Sequence, residues 1–562
     1  MEELSTDVLV IGGGVAGLNA ALAVREAGLD VIVTDKGAVA RSGCAGGGID
    51  HFMAYLETGE PWDSRQAYLE YVGRTSWGAV DLAVHEAIFC DELWPALQRF
   101  REWGVPLEEE DGSYMRTKSF GQPGPYWINF NGKQFKPRLA RAARQSGAKM
   151  LDRVSTVDLL VHDGRVFGAY GFHIRRDKFY VIRARAVILA TGGTNRIYEN
   201  PSGWRYNTWL CPVNTGDAQA MAYRAGAGLA NVEYMRITLV PKNFSAAGLN
   251  ALMGMGCRMV NALGEEFMER YDPAGIKAPR YKLVEGILGE MQAGRGPVYI
   301  DASSLPEDEL RHLSTTLAYD KETYPDYLHQ KGLDLRKDLL EIGVSEGMQG
   351  GPTEVCGSGV KIDASCRTEL EGLYAAGNCA DQARSFHMAV TSGYHAGKEA
   401  AKEILDSPRT ALPEAWDAVE KEKQALQPLG RKAPYRPIEL EQAIARVVSE
   451  NLGAVRNERG LSTALAKLQS MKEVVEGEMT AQNRHELRIL YEVINMRTMG
   501  EAMAAAALFR RESRFGIGHF RVDYPETDDE HWLGQVVVKK PSDGSGQAPR
   551  TEFRPLSYAP YL

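Results

Sequence analysis

Asp7-Val-Leu-Val-Ile11-Gly12-Gly13-Gly14-Val15-Ala16-Gly17 decides the fold. Its apolar first half suits a short strand buried on both faces. The strand runs straight into glycine. Leu18 to Glu26 then reads as a helix closed by Gly28, and Val31-Ile-Val-Thr as a second strand ending at Asp35. Gly12 permits the tight turn, Gly14 lets backbone approach a pyrophosphate, and Gly17 lets the helix pack on the strand. The helix N-terminus would face the phosphates, and Asp35 would accept from a ribose hydroxyl. Strand, glycine turn, helix and strand in this order predict a dinucleotide-binding unit.

A second glycine stretch, Arg41-Ser42-Gly43-Cys44-Ala45-Gly46-Gly47-Gly48, follows at once. Two more pieces recur far along the chain. Ala186-Val-Ile-Leu-Ala190 runs into Thr191-Gly192-Gly193, and Gly372-Leu-Tyr-Ala-Ala-Gly377 runs into Asn378. Strands that return to one nucleotide from such distances predict a flavin domain interrupted by an insertion. Residues 151–185 read as meandering strands with a hairpin turn at Asp163-Gly164. Residues 240–345 mix short strands and helices, and 415–515 show helical periodicity. The stretch after Lys540 is rich in Pro, Ser and Gly and predicts a loop or partner-binding arm.

The 562 residues have room for about three or four domains. A net charge of −9 lacks the footprint of a nucleic-acid binder. No run of 18 apolar residues exists, so no membrane span is expected. The seven cysteines contain no C-x-x-C pair. Neither a disulfide framework nor a metal or iron–sulfur site is therefore expected on this chain. The first strand begins so early that no cleavable targeting segment is expected, and the chain reads as cytoplasmic.

These pieces together resemble the flavoprotein subunits of succinate dehydrogenase, fumarate reductase and adenylylsulfate reductase. Asn214-Thr-Gly-Asp217-Ala-Gln-Ala-Met221 is similar to that family's T-G-D-G helix segment. Asn261-Ala-Leu-Gly-Glu-Glu-Phe267-Met-Glu-Arg-Tyr271 is similar to its G-E-R-F-M-E-R-Y segment. Arg511-Glu-Ser-Arg514, Asp523-Tyr-Pro and Trp532 are similar to its carboxy-terminal signature. The resemblance implies an α/β, Rossmann-like FAD-binding domain (1–240 and 346–410), interrupted by an α+β capping domain (241–345). A helical C-terminal domain (411–540) and a tail (541–562) would follow. It also implies FAD held by Gly12, Gly14, Ala16, Gly17, Asp35, Lys36, Ser42, Gly43, Ala190, Thr191, Gly192, Asp217, Gly377, Asn378 and Ser392. Electrons would pass to or from a separate ferredoxin-type iron–sulfur subunit.

Departures from the family narrow the function. Covalently flavinylated members carry His after Arg-Ser, where this chain has Gly43, so non-covalent FAD is expected. Where fumarate reductases carry H-P-T-G, Glu233 to Val240 contains no His. Where they carry the proton-donating Arg of R-D-x-x-(S/A)-R, this chain has Glu285. A Glu cannot replace an arginine's fork for a dicarboxylate.

Gly124-Pro-Tyr-Trp127-Ile-Asn-Phe-Asn-Gly132 with Lys136-Pro137, and Ser385-Phe-His387 to His395-Ala, resemble adenylylsulfate reductase segments. His387 would match that branch's active-site His, and Trp209 a Trp near its substrate. Asn243, beside Lys242, replaces the arginine that faces the sulfate there. The candidates for substrate chemistry are thus His387, Asn243, Lys242, Glu285 and Trp209, with Arg205, Arg236 and Arg280 for a small anionic substrate. The resemblance thus implies first an FAD-dependent oxidoreductase like adenylylsulfate reductase, exchanging two electrons between the flavin and a small anionic substrate. The alternatives are a fumarate-reductase-like ene reductase of another unsaturated acid and a flavin subunit that only relays electrons.

Overall fold

The computed structural model describes residues 1–118, 122–244, 256–311, 323–382, 384–407, 417–541 and 548–559. Strand β1 (Glu2–Ile11), helix α1 (Val15–Glu26) and β2 (Val31–Asp35) form the opening unit. Val8, Leu9 and Val10 are fully buried, as a strand covered on both faces requires. Two short paired strands follow, β3 (His51–Met53) and β4 (Trp127–Asn129). Then come β5 (Lys149–Asp152), β6 (Val154–His162), β7 (Arg165–His173) and β8 (Phe179–Leu189). The order across the main sheet is β5-β2-β1-β8-β7-β6. Pairing is parallel from β5 to β8 and antiparallel through the β7 and β6 meander. Asp163 (φ 48°) and Gly164 (φ 77°) close that hairpin with two left-handed residues, as a type I′ turn demands.

The chain then leaves this sheet. β9 (Leu239–Pro241), β10 (Arg258–Val260), β11 (Val298–Asp301) and β12 (Leu340–Val344) form a separate antiparallel sheet in the order β9-β12-β11-β10. Helix α2 (Arg280–Gln292) lies between β10 and β11 in sequence. β13 (Leu373–Ala375) returns to the main sheet, parallel to the last residues of β8. Helix α3 (Phe386–Asp406) follows it and lies tight on α1. A Cβ on Gly393 would sit 2.2 Å from the Ala16 carbonyl oxygen, so only glycine allows this approach.

Three helices dominate the rest: α4 (Pro437–Asn451), α5 (Glu458–Ser470) and α6 (Arg484–Phe509). Asn457 caps α5 by accepting from Gly460 N, and Asn483 caps α6 by accepting from Glu486 N. Helix α6 is buried along most of its length. The segment after Lys540 departs from the expectation of a free arm. β14 (Gly534–Lys539) and β15 (Arg550–Pro555) pair antiparallel over six residues. Thr551 and Phe553 are half-buried between exposed Arg550, Glu552 and Arg554, an alternation that the Pro, Ser and Gly content between the strands hides. Tyr558 beyond β15 is buried, with its hydroxyl donating to Val80 O at 2.6 Å. No helix of the described residues is long and apolar enough to cross a membrane.

Candidate functional site

A cavity of about 830 Å³ opens where the glycine turn meets the ends of β1, β2 and β8. That size suits a large ligand. Gly12, Gly14, Ala16, Asp35, Lys36, Ser42, Gly43, Ala190, Thr191, Gly192, Asp217, Gly377 and Asn378 all line it. Gly12 has φ +106°, and a Cβ there would lie 2.4 Å from the Ala190 oxygen. Gly17 and Ser392 stand behind the wall. Gly17 lets α1 lie against the turn, since its Cβ would meet Gly12 O at 1.8 Å. Ser392 Oγ accepts from Gly377 N at 2.9 Å and so holds the second glycine corner.

The lining is prepared for a ligand with phosphates and a ring system. No side chain caps the N-terminus of α1 at Gly14, so its first-turn N–H groups are left for an anion. Asp35 Oδ2 accepts from Gly13 N at 2.8 Å and from the Ser42 hydroxyl at 2.9 Å. The indole N–H groups of Trp127 and Trp209, both in the lining, have no hydrogen-bond partner among the described residues. Orphaned buried donors of this kind are rare without a ligand. A flavin dinucleotide fits this donor set.

Lys36 ties the cavity to the helical region. Its ammonium donates to Asp217 at 2.7 Å and to Glu492 on α6 at 2.9 Å. Burial works against that charge, yet the two carboxylates outweigh it and raise the pKa above the usual lysine value. Glu492 also pairs with Arg196 at 2.7 Å and with Arg488. Burial pushes its carboxyl up, but Lys36, Arg196 and Arg488 hold it far below the usual range.

A second charge system carries no such balance. Arg236 and Arg384 line the cavity, and both are buried. Arg236 Nη1 reaches only Thr353 O at 3.4 Å, and its Nε has no partner among the described residues. Arg384 Nη1 reaches Gln349 O at 3.4 Å. Neither forms an ion pair among the described residues. The nearby Arg280 pairs with Glu354 at 3.0 Å. Burial, then Arg280 and Arg384, push the Arg236 pKa well down, and burial lowers Arg384 to about 10. Gly350 makes room for this arrangement, because a Cβ there would sit 2.0 Å from Arg384 Nη1.

Trp209 lies beneath the cluster, its ring 4.9 Å from the Arg236 guanidinium carbon and 5.8 Å from that of Arg280. Its backbone N–H donates to Glu346 Oε1 at 2.7 Å. Burial pushes the Glu346 carboxyl up to about 7. Excess buried positive charge of this kind calls for an anion.

The other sequence candidates lie outside the lining. His387 is buried, bonds Ser385 Oγ, and meets Phe89 edge-on at 5.2 Å. Burial, with His85 and His51, pushes its pKa well below the usual value. Lys242 is exposed and pairs with Glu341. Asn243 is also exposed, in a left-handed turn (φ 61°) just past β9. Glu285 on α2 is partly exposed and pairs with Lys282 at 2.9 Å. Arg205 pairs with buried Glu441.

Arg384 and the pair Asp50-His51 are lining residues that the sequence reading passed over. Arg384 had a signal: it is the only Lys or Arg between Arg367 and Lys398.

Residues 7–393 match the model of the FAD binding domain family, and residues 441–561 that of the fumarate reductase flavoprotein C-terminal family. A fumarate reductase (CoM/CoB) chain of Methanothermobacter marburgensis is 29% identical over 559 residues, 95% of this chain and 97% of that protein. The succinate dehydrogenase flavoprotein subunit of Coxiella burnetii is 26% identical, over 99% of this chain and 96% of that one. The structure of adenylylsulfate reductase from Archaeoglobus fulgidus superposes with a TM-score of 0.86 at 25% identity, covering 99% of this chain and 96% of that one.

Proposed function

Because this chain belongs to the FAD-binding family that includes the fumarate reductase and succinate dehydrogenase flavoprotein subunits, we propose that it is the flavin subunit of an oxidoreductase that reduces a double bond in a small unsaturated acid. The observation that carries this reading is Arg236 and Arg384, which line the cofactor cavity without an ion pair among the described residues, beside the Arg280–Glu354 pair. Guanidinium forks match carboxylates two bonds at a time.

The cofactor supplies two-electron chemistry when bound. Gly12, Gly14 and the start of α1 would hold its phosphates, and Asp35 a ribose. Thr191, Gly377 and Asn378 would line its path. Arg236 and Arg384 bind the acid and draw charge from its double bond, which makes the bond accept electrons. Trp209 excludes water beneath them. Electrons come from a separate iron–sulfur protein, a reading supported by the lack of any C-x-x-C pair in the sequence.

A second reading, reduction of adenylylsulfate, is favoured by the two lining indoles Trp127 and Trp209, which offer faces for a base or ring. One experiment separates the two. The flavin of the purified protein is reduced anaerobically and then mixed with fumarate, with other unsaturated acids or with adenylylsulfate. Re-oxidation by an unsaturated acid is expected. Re-oxidation by adenylylsulfate alone overturns the first reading in favour of the second. Re-oxidation by none leaves a relay subunit. The protein purified alone should be yellow and free of iron, and stoichiometric iron would remove the separate partner from the scheme.

A further inference from the structure

Strand β3 points alternate side chains to opposite sides. Phe52 faces inward, edge-on to Phe386 at 5.9 Å and to His387 at 6.3 Å. His51, one residue earlier, lines the cavity and stacks on Trp127 of β4 at 4.1 Å and 22°. The imidazole singled out by the sequence is therefore on the dry side of β3, and another stands on the cavity side. Asp50 Oδ1 lies 2.7 Å from His51 Nδ1. Burial pushes the Asp50 carboxyl up, but His51 outweighs it and keeps it low. Asp50 is itself pinned, since its carbonyl accepts from Phe130 N at 3.0 Å. Thr117 Oγ1 donates to Asn129 Oδ1 at 2.6 Å, and both line the cavity beside β4's Trp127.

We propose that His51, oriented by Asp50 and stacked on Trp127, donates the proton that completes reduction of the substrate in this cavity. The inference rests on the double-bond reading above. A carboxylate on Nδ1 fixes a hydrogen there and leaves Nε2 as the nitrogen that gives up a proton. In the reduction, the cofactor when bound would supply hydride, two electrons and a proton, to one carbon of the double bond. The other carbon receives the Nε2 proton of the His51 imidazolium. The π bond is replaced by two C–H bonds, the flavin is left oxidised, and neutral His51 is reprotonated from solvent. His387 is buried outside the cavity lining, edge-on to Phe52 at 6.3 Å and to Phe89 at 5.2 Å. Among the described residues, the charged or titratable groups near His51 include Asp50, Lys118 beyond Thr117, and His387 on the other side of Phe52. Arg384, Glu309 and Glu354 lie elsewhere in the lining.

The test uses the FAD-loaded full-length protein and whichever unsaturated acid re-oxidises the wild-type flavin. His51→Gln should keep its flavin and its affinity for the acid, while flavin re-oxidation slows by about 10²- to 10⁴-fold. In the wild type the rate should fall as pH rises through the His51 pKa, and His51→Gln should lose that limb. Asp50→Asn should slow the reaction less and move the limb to lower pH, because the carboxylate no longer favours the imidazolium. Added imidazole should restore part of the rate in His51→Ala but not in wild type.

A His51→Gln protein that keeps more than about a tenth of the rate, with an unchanged pH limb, overturns the role of His51 alone. A wild-type flavin that no unsaturated acid re-oxidises overturns both this role and the reading beneath it. His51→Gln that loses flavin while His51→Ala shows no imidazole rescue assigns His51 to the cofactor instead, and the proposal falls.

Discussion

Glu492→Gln is the sharpest probe of how the cofactor cavity is joined to the helical region. The carboxylate meets Lys36 at 2.9 Å, Arg196 at 2.7 Å and Arg488 one helical turn away, and its side chain is 2% exposed. Removing one partner of a buried ionic cluster costs about 3–5 kcal/mol. Lys36 keeps Asp217 and Arg196 keeps Glu441, so only Arg488 is stranded. We therefore place the loss near the lower limit, about 3 kcal/mol. Urea unfolding of the FAD-loaded protein, followed by far-UV circular dichroism, reads it.

The pH dependence gives a second check. The Glu492 carboxyl is depressed in the folded protein. Its contribution is therefore complete above the unfolded value of about 4.3 and is lost as pH falls toward the folded value. The gap between wild type and Glu492→Gln should narrow steadily as pH drops below about 4. A gap under about 1 kcal/mol at neutral pH, or one indifferent to acid, would refute the account of this cluster.

Gly12→Ala places a Cβ 2.4 Å from the Ala190 oxygen at φ +106°, so the purified variant should be folded but largely colourless, as flavin absorbance will show. Arg384→Met removes a charged fork worth about 1.5–3 kcal/mol to a bound carboxylate. Substrate affinity should fall about 10- to 100-fold with flavin content unchanged, measured by flavin re-oxidation against acid concentration. Lys136 is buried, donates to Gly13 O at 2.7 Å, and is lowered by burial to about 8. The unfolded lysine holds its proton to about 10.4, so stability should rise with pH between about 8 and 10. Lys136→Met should flatten that rise in parallel urea titrations across the same pH range.

The nucleotide half of the molecule was legible because its chemistry is local. A strand, a glycine turn and a helix fall within one short stretch, and each glycine answers a contact of the backbone. Asp35 and Lys36 follow from the strand end that carries them. The substrate end was less legible, because its residues come from three distant places. Arg236, Arg280 and Arg384 are separated by long stretches of sequence, and their meaning arises only where Arg236 and Arg384 line one cavity without an ion pair among the described residues, beside the Arg280–Glu354 pair. His387 lies outside the lining for a related reason. Its helix gives Phe386 and Ala389 to the lining, while His387 packs edge-on to Phe52 and is not among the lining residues. The side of β3 on which each residue falls decides which imidazole is wet, and a strand of three residues is too short for its alternation to be read. The last strand was missed because turn-rich composition between β14 and β15 outweighed six residues of weak alternation.

The last strand also bears on how the molecule is made. β15 pairs with β14, and Tyr558 beyond it is held by Ser76 and Val80 near the beginning of the chain. The main sheet likewise waits for β13, some 180 residues after β8 in the sequence, before its cofactor edge is complete. During synthesis from the amino terminus, the glycine turn emerges early, but the cavity lacks part of its wall until Gly377 to Ala389 have followed. Contacts of such sequence separation form late and slowly. Enclosure of the cavity thus depends on contacts far apart in sequence, and until they form its apolar surfaces need shielding.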